Sequence, residues 1–202
     1  MLASIISLAL LLYPAVVHAC IVYDIPQYAV LYLSIILMLL MIEKFPVKVK
    51  YLIVFLSPVI VYVVLRYESI SRLALYILPV LVCLIFFKIF ARTLVSGKVP
   101  LVTRMAEITQ GDLDDDVVRY TRSLTGVWAL VFLGLAVEST LLAFFAPFEL
   151  WSLFTNVINY IIVALVFVGD YLVRRKTLAS WRNQGFKHFI DSITKVKVRD
   201  FK

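Results

Sequence analysis

Residues Gly126 to Val173 hold two membrane-length apolar segments almost back to back, GVWALVFLGLAVESTLLAFFA and LFTNVINYIIVALVFVGDYLV, separated only by PFELWS. At about 21 residues each, and 1.5 Å of rise per residue, either segment can cross a hydrocarbon core of ~30 Å. So short a joint returns the chain directly, which predicts a transmembrane hairpin. The two segments are Leu, Val, Ile, Phe and Ala throughout, except that they keep Glu138, Asn156, Asn159 and Asp170. Such side chains are expensive in lipid and mark either internal packing or a functional path.

Composition agrees with the hairpin and extends it to the whole chain. At 63% hydrophobic and 16% charged residues over 202 positions, the surface cannot be hidden in a soluble core, because soluble domains run near 45–50% apolar. The first segment, Met1 to Tyr23, opens MLASIISLALLL without Lys or Arg. It therefore lacks the basic start of a secretory signal and reads as an uncleaved helix, although Val17-His18-Ala19-Cys20 faintly resembles a lipoprotein cleavage box. Asp24 to Gln27 forms a turn. Further spans follow at 28–42, 51–65 and 73–91, with Pro58 and Pro79 inside the latter two and Pro14 inside the first. Proline removes a helical hydrogen bond and kinks the axis, and bent packing is its ordinary result in membranes. Cys20 and Cys83 lie singly in apolar segments with no CxxC or metal spacing, and read as packed thiols. No metal or other cofactor is expected.

Charge sets the topology. Eighteen of the twenty Lys and Arg fall in the loop after span two, around the loop after span four, and in the tail; only Arg66 and Arg72 fall on the other side. The positive-inside rule then gives an all-α, polytopic membrane bundle of six transmembrane helices (about 2–23, 28–42, 51–65, 73–91, 126–146 and 153–173) with both termini cytoplasmic. The net charge of +7 is distributed between and after the apolar segments rather than on one soluble face, so it argues for topology and against nucleic acid.

The interior loop 92–125 is broken from the fourth span by Gly97 and Pro100. Leu101, Val102, Met105 and Ile108 then recur at helical spacing, which predicts a short amphipathic helix at the membrane surface. Asp114, Asp115 and Asp116 fit a helix start, where the macrodipole favours acids, better than a metal site. Asp170 precedes Arg174 by four residues and so shares its face; Arg119 or Arg122 is expected within reach of the same carboxylate. The tail, 174–202, begins Arg174-Arg175-Lys176 and interleaves Trp181, Phe186, Phe189 and Ile190 with Arg182, Lys187 and His188. A segment lying on the membrane or docking a cytosolic partner is expected there. His188 and Asp191 are spaced HxxD, too close for an acyltransferase HxxxxD centre.

From Lys98 onward, KVPLVTRMAEITQGDLDDDVVRYTRSLTGVWALVF, then LWSLF at 150–154, Asn159-Tyr160, VGDY at 168–171 and Arg174-Arg175 resemble an uncharacterised family of bacterial inner-membrane proteins. Its genes tend to lie beside aryl-polyene and related fatty-acid-like biosynthetic genes. The likeness covers about half the chain, and two positions depart from the family pattern: Asp170, where Glu is expected, and the acid run at 114–116. The resemblance implies a pathway context, with acyl-carrier or fatty-acid-synthase-like proteins as partners beside membrane lipids, and no reaction.

Counted inward from Ala146 and Ser152, Glu138 and Asn159 lie at matching depths, about 11 to 12 Å below the outer boundary at 1.5 Å per residue. Glu138 is therefore expected to meet Asn159, and Asn156 as well, since the two asparagines are three apart. Glu138, Asn156, Asn159 and Asp170 are the candidate intramembrane polar site. Arg104, Arg119, Arg122, Arg174 and Arg175 are the candidate interface for lipid headgroups or acidic partners. The expected function is a non-enzymatic inner-membrane accessory, a scaffold or a handler of a lipid-like acyl product. The alternative is a small membrane-embedded transferase or transporter that uses the four intramembrane polar residues.

Overall fold

The computed structural model describes residues 2–44 and 47–177. The basic tail beyond Thr177, with the expected surface segment around Trp181 and the His188–Asp191 pair, lies outside the described residues, as do Phe45 and Pro46. The described chain is helical, and no strand forms among the described residues. Its elements are α1 (Leu2–Val22), α2 (Pro26–Lys44), α3 (Val47–Arg66), α4 (Glu68–Ala91), α5 (Leu101–Gln110), α6 (Asp115–Phe145), α7 (Phe148–Leu153), a π-helical turn (Phe154–Ile158) and α8 (Asn159–Thr177). Three stretches, Ser69–Ala91, Asp115–Phe145 and Phe148–Thr177, are long and apolar enough to cross a membrane. Ser7–Val22 and Pro26–Ile36 are shorter apolar helical stretches. Pro14 and Pro79 lie inside α1 and α4.

The described residues gather into two compact units, one of residues up to Val80 with Glu138–Tyr160, the other of Leu81–Val137 with the chain from Ile161 onward. In the first unit, α1 ends in a Schellman motif: Ile25 N–H donates to Cys20 O at 2.8 Å and Asp24 N–H to Ile21 O at 3.1 Å. The motif needs a left-handed residue, and Asp24 takes that place with φ 56°. Pro26 then opens α2, where its missing N–H costs nothing. The turn is clipped from outside by Arg72, whose Nη2 lies 3.2 Å from Asp24 Oδ1.

Trp151 anchors this unit. It is 1% exposed and packs with Val17, Ile21, Ala29, Val30, Leu75 and Phe148. Tyr76 meets its ring edge-on at 4.7 Å, and Arg72 lies 5.0 Å above the Phe148 ring, a cation–π placement. Trp151 and Ser152 read as loop in the sequence, but the chain turns in only two residues, Ala146 and Pro147, and is helical again from Phe148. The physical reason is apolar: Phe148 and Trp151 share one face of α7 and bury it, so the segment contributes to the core instead of facing water.

In the second unit, α6 begins at Asp115, well before Gly126, so part of the expected loop is the polar start of a 31-residue helix about 46 Å long. Asp115 and Asp116 occupy its first turn, where the helix dipole favours them. Helix α5 forms where expected and ends at Gly111, whose φ of 80° suits a residue without Cβ. Its buried face differs from the expected one. Val102, Thr103 and Ala106 are buried while Ile108 is 39% exposed. Two of its first N–H groups, which no helical carbonyl can satisfy, are taken by hydroxyls: Leu101 N–H donates to Thr93 Oγ1 at 3.0 Å and Val102 N–H to Thr125 Oγ1 at 3.2 Å. Thr103 and Thr121 share a further hydrogen bond of 2.8 Å. Helix α5 is thus bonded to α6 through threonines. The core beside it is aromatic, with Trp128 against Phe167 at 4.6 Å and against Phe132 at 5.7 Å.

Candidate functional site

The first unit carries a polar cluster inside its apolar packing. Asn159 Nδ2 donates to Glu138 Oε2 at 3.1 Å and lies 3.3 Å from Ser139 Oγ, whose hydroxyl is itself 3.3 Å from Glu138 Oε2. The backbone of Ser139 is held in turn, because Trp151 Nε1 donates to Ser139 O at 3.2 Å. The largest buried ring of the unit therefore fixes the position of the cluster.

Asn156 does not join Glu138. Its Nδ2 turns back to Ser152, donating to the carbonyl at 3.1 Å and to Oγ at 3.2 Å. The π-helical turn accounts for the divergence. Asn159 N–H bonds Phe154 O, five residues back, so this turn contains about one residue more than an α-turn. Two residues three apart no longer share a face there: Asn159 is aimed at α6 and Asn156 along its own helix. The only sequence sign is Thr155, Val157 and Ile158, β-branched residues that lower α-helical preference, and that sign is weak.

Beyond Asn156 the chain of contacts reaches α1. Ser152 Oγ lies 3.0 Å from His18 Nδ1. Because the Asn156 amide nitrogen can only donate to Ser152 Oγ, the serine proton remains available for the ring nitrogen. His18, Ser139, Ser152 and Thr155 do not stand out in the sequence as members of this site. The usable signal is the recurrence of small hydroxyl residues one position from Glu138, Trp151 and Asn156, since small polar residues concentrate where membrane helices approach closely.

Three side-chain oxygens of this unit, Glu138 Oε1, Thr155 Oγ1 and Asn159 Oδ1, are buried and have no hydrogen-bond partner among the described residues. Asn159 is 6% and Thr155 5% exposed. No group of three or more His, Cys, Asp and Glu side chains converges as a metal site among the described residues.

The second unit holds a polar cluster of a different kind. Asp170 Oδ1 accepts from Arg174 Nε at 2.7 Å and from the Tyr120 hydroxyl at 2.7 Å, and the Arg174 guanidinium lies 5.4 Å above the Tyr120 ring. The carboxylate and guanidinium side chains are 4% and 7% exposed. Arg119 and Arg122 do not reach Asp170: Arg119 pairs with Asp116 and Arg122 donates to Leu94 O at 3.1 Å. Tyr120 stands one helical position from Arg119 and takes the place expected for a basic residue. Arg174 is consequently no surface cation, whereas Arg119, Arg122 and Arg175 are exposed and Arg104 is half-buried.

Comparison with protein-family models, with curated proteins and with solved structures finds no match for this chain.

Proposed function

We propose that the protein is a non-enzymatic, multi-pass component of a bacterial inner membrane that handles a lipid-like acyl product. The observation that carries this reading is the trio of buried oxygens at Glu138, Thr155 and Asn159 without donors among the described residues. Buried polar atoms are normally paired, so a trio of acceptors within apolar helices suits the polar head of a ligand whose remainder is apolar. Six spans with cytoplasmic termini would put the exposed Arg119, Arg122 and Arg175 on the cytoplasmic side, where acidic acyl-carrier partners and anionic headgroups are found.

The same residues support a second reading, a membrane-embedded transferase or transporter, which is favoured by one observation: the hydrogen-bonded series His18, Ser152 and Asn156 adds an imidazole and a hydroxyl to the polar groups of the unit. The two readings separate on one experiment. Deletion of the gene followed by mass spectrometry of lipid extracts should reveal a missing or accumulated acyl species, and an unchanged lipid profile would sink both. Re-expression of Glu138→Gln should restore the profile in part if the protein binds and passes on a product. It should restore nothing if Glu138 carries a chemical step.

A further inference from the structure

We propose that one face of α4 in the second unit binds a single anionic phospholipid, with Lys88 and Arg92 holding its phosphate and Leu81, Leu84 and Ile85 carrying an acyl chain. The inference rests on the reading of the chain as membrane-spanning and goes beyond it, because it names a lipid site on residues that the two polar clusters do not use. Positions 81, 84, 85, 88 and 92 recur every three or four residues and so share one helix face. All five residues are exposed. Phe86 and Phe90, on the other side of the same helix, lie against Phe132 with ring centroids at 4.9 and 5.7 Å. Those rings seat α4 on α6 and turn the face with Lys88 and Arg92 outward.

Depth and charge point to the headgroup. Lys88 lies inside Ser69–Ala91, a stretch long and apolar enough to span, about 4.5 Å before its end at 1.5 Å per residue. An ammonium on an outward face is not left in hydrocarbon: its four-carbon stem lies along the helix and carries the charge to the headgroup level. Arg92 stands at that level. Its N–H bonds Lys88 O at 3.1 Å, so the helical turn continues to it, and side chains four apart are ~5–6 Å from one another at Cβ. Neither cation has a hydrogen-bond or ion-pair partner among the described residues. Like charges at this spacing repel, and one phosphate between them replaces that repulsion with two attractions.

The corner beyond Arg92 is held in place. Thr93 Oγ1 donates to Phe90 O at 2.8 Å and accepts from Leu101 N–H at 3.0 Å, and Arg122 donates to Leu94 O at 3.1 Å. A helix C-terminus presents carbonyls and no free N–H groups, so recognition of the phosphate falls on the two side chains alone. The apolar part of the face selects the source of that phosphate. Leu81, Leu84 and Ile85 are exposed large hydrophobics one to two turns deeper than Lys88, where an acyl chain descends from its headgroup, and a soluble phosphate has nothing to place there.

The test uses the full-length protein purified in detergent, with thermal unfolding recorded as phosphatidylglycerol or phosphatidylcholine of the same acyl chains is added. Phosphatidylglycerol should raise Tm saturably above phosphatidylcholine, by roughly 5 °C at about a hundred times its dissociation constant. Lys88→Gln and, separately, Arg92→Gln should each need about fivefold more phosphatidylglycerol for the same rise, the ordinary weight of one basic residue against anionic lipid. The double variant should need about 25-fold more on the same basis. Both side chains are exposed, so all three variants should unfold near the wild-type Tm in phosphatidylcholine. Lys98→Gln removes an exposed cation from the following loop and should change nothing. Equal wild-type Tm in the two lipids overturns the inference even if a variant fails to fold. So does an equal loss from Lys98→Gln, which marks a diffuse charge effect, or an equal rise with glycerol phosphate, which has no acyl chain. Each of those failures leaves the membrane reading standing, whereas protein found in the soluble fraction of cells broken without detergent would overturn both.

Discussion

The two units solve the same problem, polar side chains among apolar helices, in opposite ways. In the second unit Asp170 is closed: a guanidinium and a phenol both donate to one carboxylate oxygen at 2.7 Å, and the guanidinium rests on the phenol ring. In the first unit Glu138 is half-satisfied, with Oε2 bonded and Oε1 not, and Asn159 and Thr155 add two more open oxygens. A closed cluster stabilises the fold and leaves nothing for a ligand. An open one forgoes stability and leaves a site, so side chains that look alike in sequence, two acids in two neighbouring apolar segments, point to different roles.

The largest effect should come from opening the closed cluster. Arg174→Leu strands a buried carboxylate and should destabilise the protein by about 3–5 kcal/mol, measured as unfolding in detergent. Replacing both partners with leucine removes the stranded charge and should cost clearly less than Arg174→Leu alone. Exchanging Asp170 and Arg174 keeps both charges paired, and the Tyr120 hydroxyl can accept from the relocated guanidinium where it had donated to the carboxylate, so the exchange should also cost less than Arg174→Leu alone. Similar unfolding of all three variants would mean that the pair is not closed.

In the first unit the comparable loss comes from packing and not from charge. Trp151→Ala removes the ring that contacts Phe148 and Tyr76 and also the donor to Ser139 O. It should cost about 3–5 kcal/mol by the same measurement. Amide exchange should show whether the loss is felt first in residues 138–160, and uniform exchange across the chain would contradict that assignment.

A smaller effect is expected at the threonine contacts. Thr125→Val preserves shape but deprives Val102 N–H of its acceptor, which should cost about 1–3 kcal/mol because a buried donor is left unpaired. Loss of exchange protection should be concentrated in the first turn of α5, and unchanged protection there would show that the N–H is satisfied otherwise.

The smallest stability change should come from the open cluster itself. Glu138→Gln leaves an acceptor beside Asn159, and interhelical polar contacts of this kind average only about 0.6 kcal/mol. A stability loss under about 1 kcal/mol is expected, against several for Arg174→Leu. A loss as large as that of Arg174→Leu would place Glu138 among closed, structural groups and erase the difference between the units.

Much of this was legible because it is local. Apolar runs of spanning length give helices, and the three longest lie where the segments around 73–91, 126–146 and 153–173 are expected. A spacing of four within a helix puts Asp170 beside Arg174, and equal counts from the hairpin joint bring Glu138 to Asn159. Both follow from 1.5 Å and about 100° per residue, with no knowledge of the neighbours.

Only the tertiary structure decided the remainder. Periodicity cannot announce a π-helical turn, since one inserted residue changes every later facing and its weak β-branched signal is common to ordinary strands and helices. That turn sends Asn156 to Ser152 instead of to Glu138. The choice of Tyr120 over Arg119 at Asp170, the seating of Trp151 in a core instead of a loop, and the meeting of His18 with Ser152 across 134 positions of sequence depend on which helices lie together. The sequence determined helices and the faces within them, because those are set by bonds four residues long. Which polar groups closed on one another, and which stayed open, depended on packing between segments far apart in the chain.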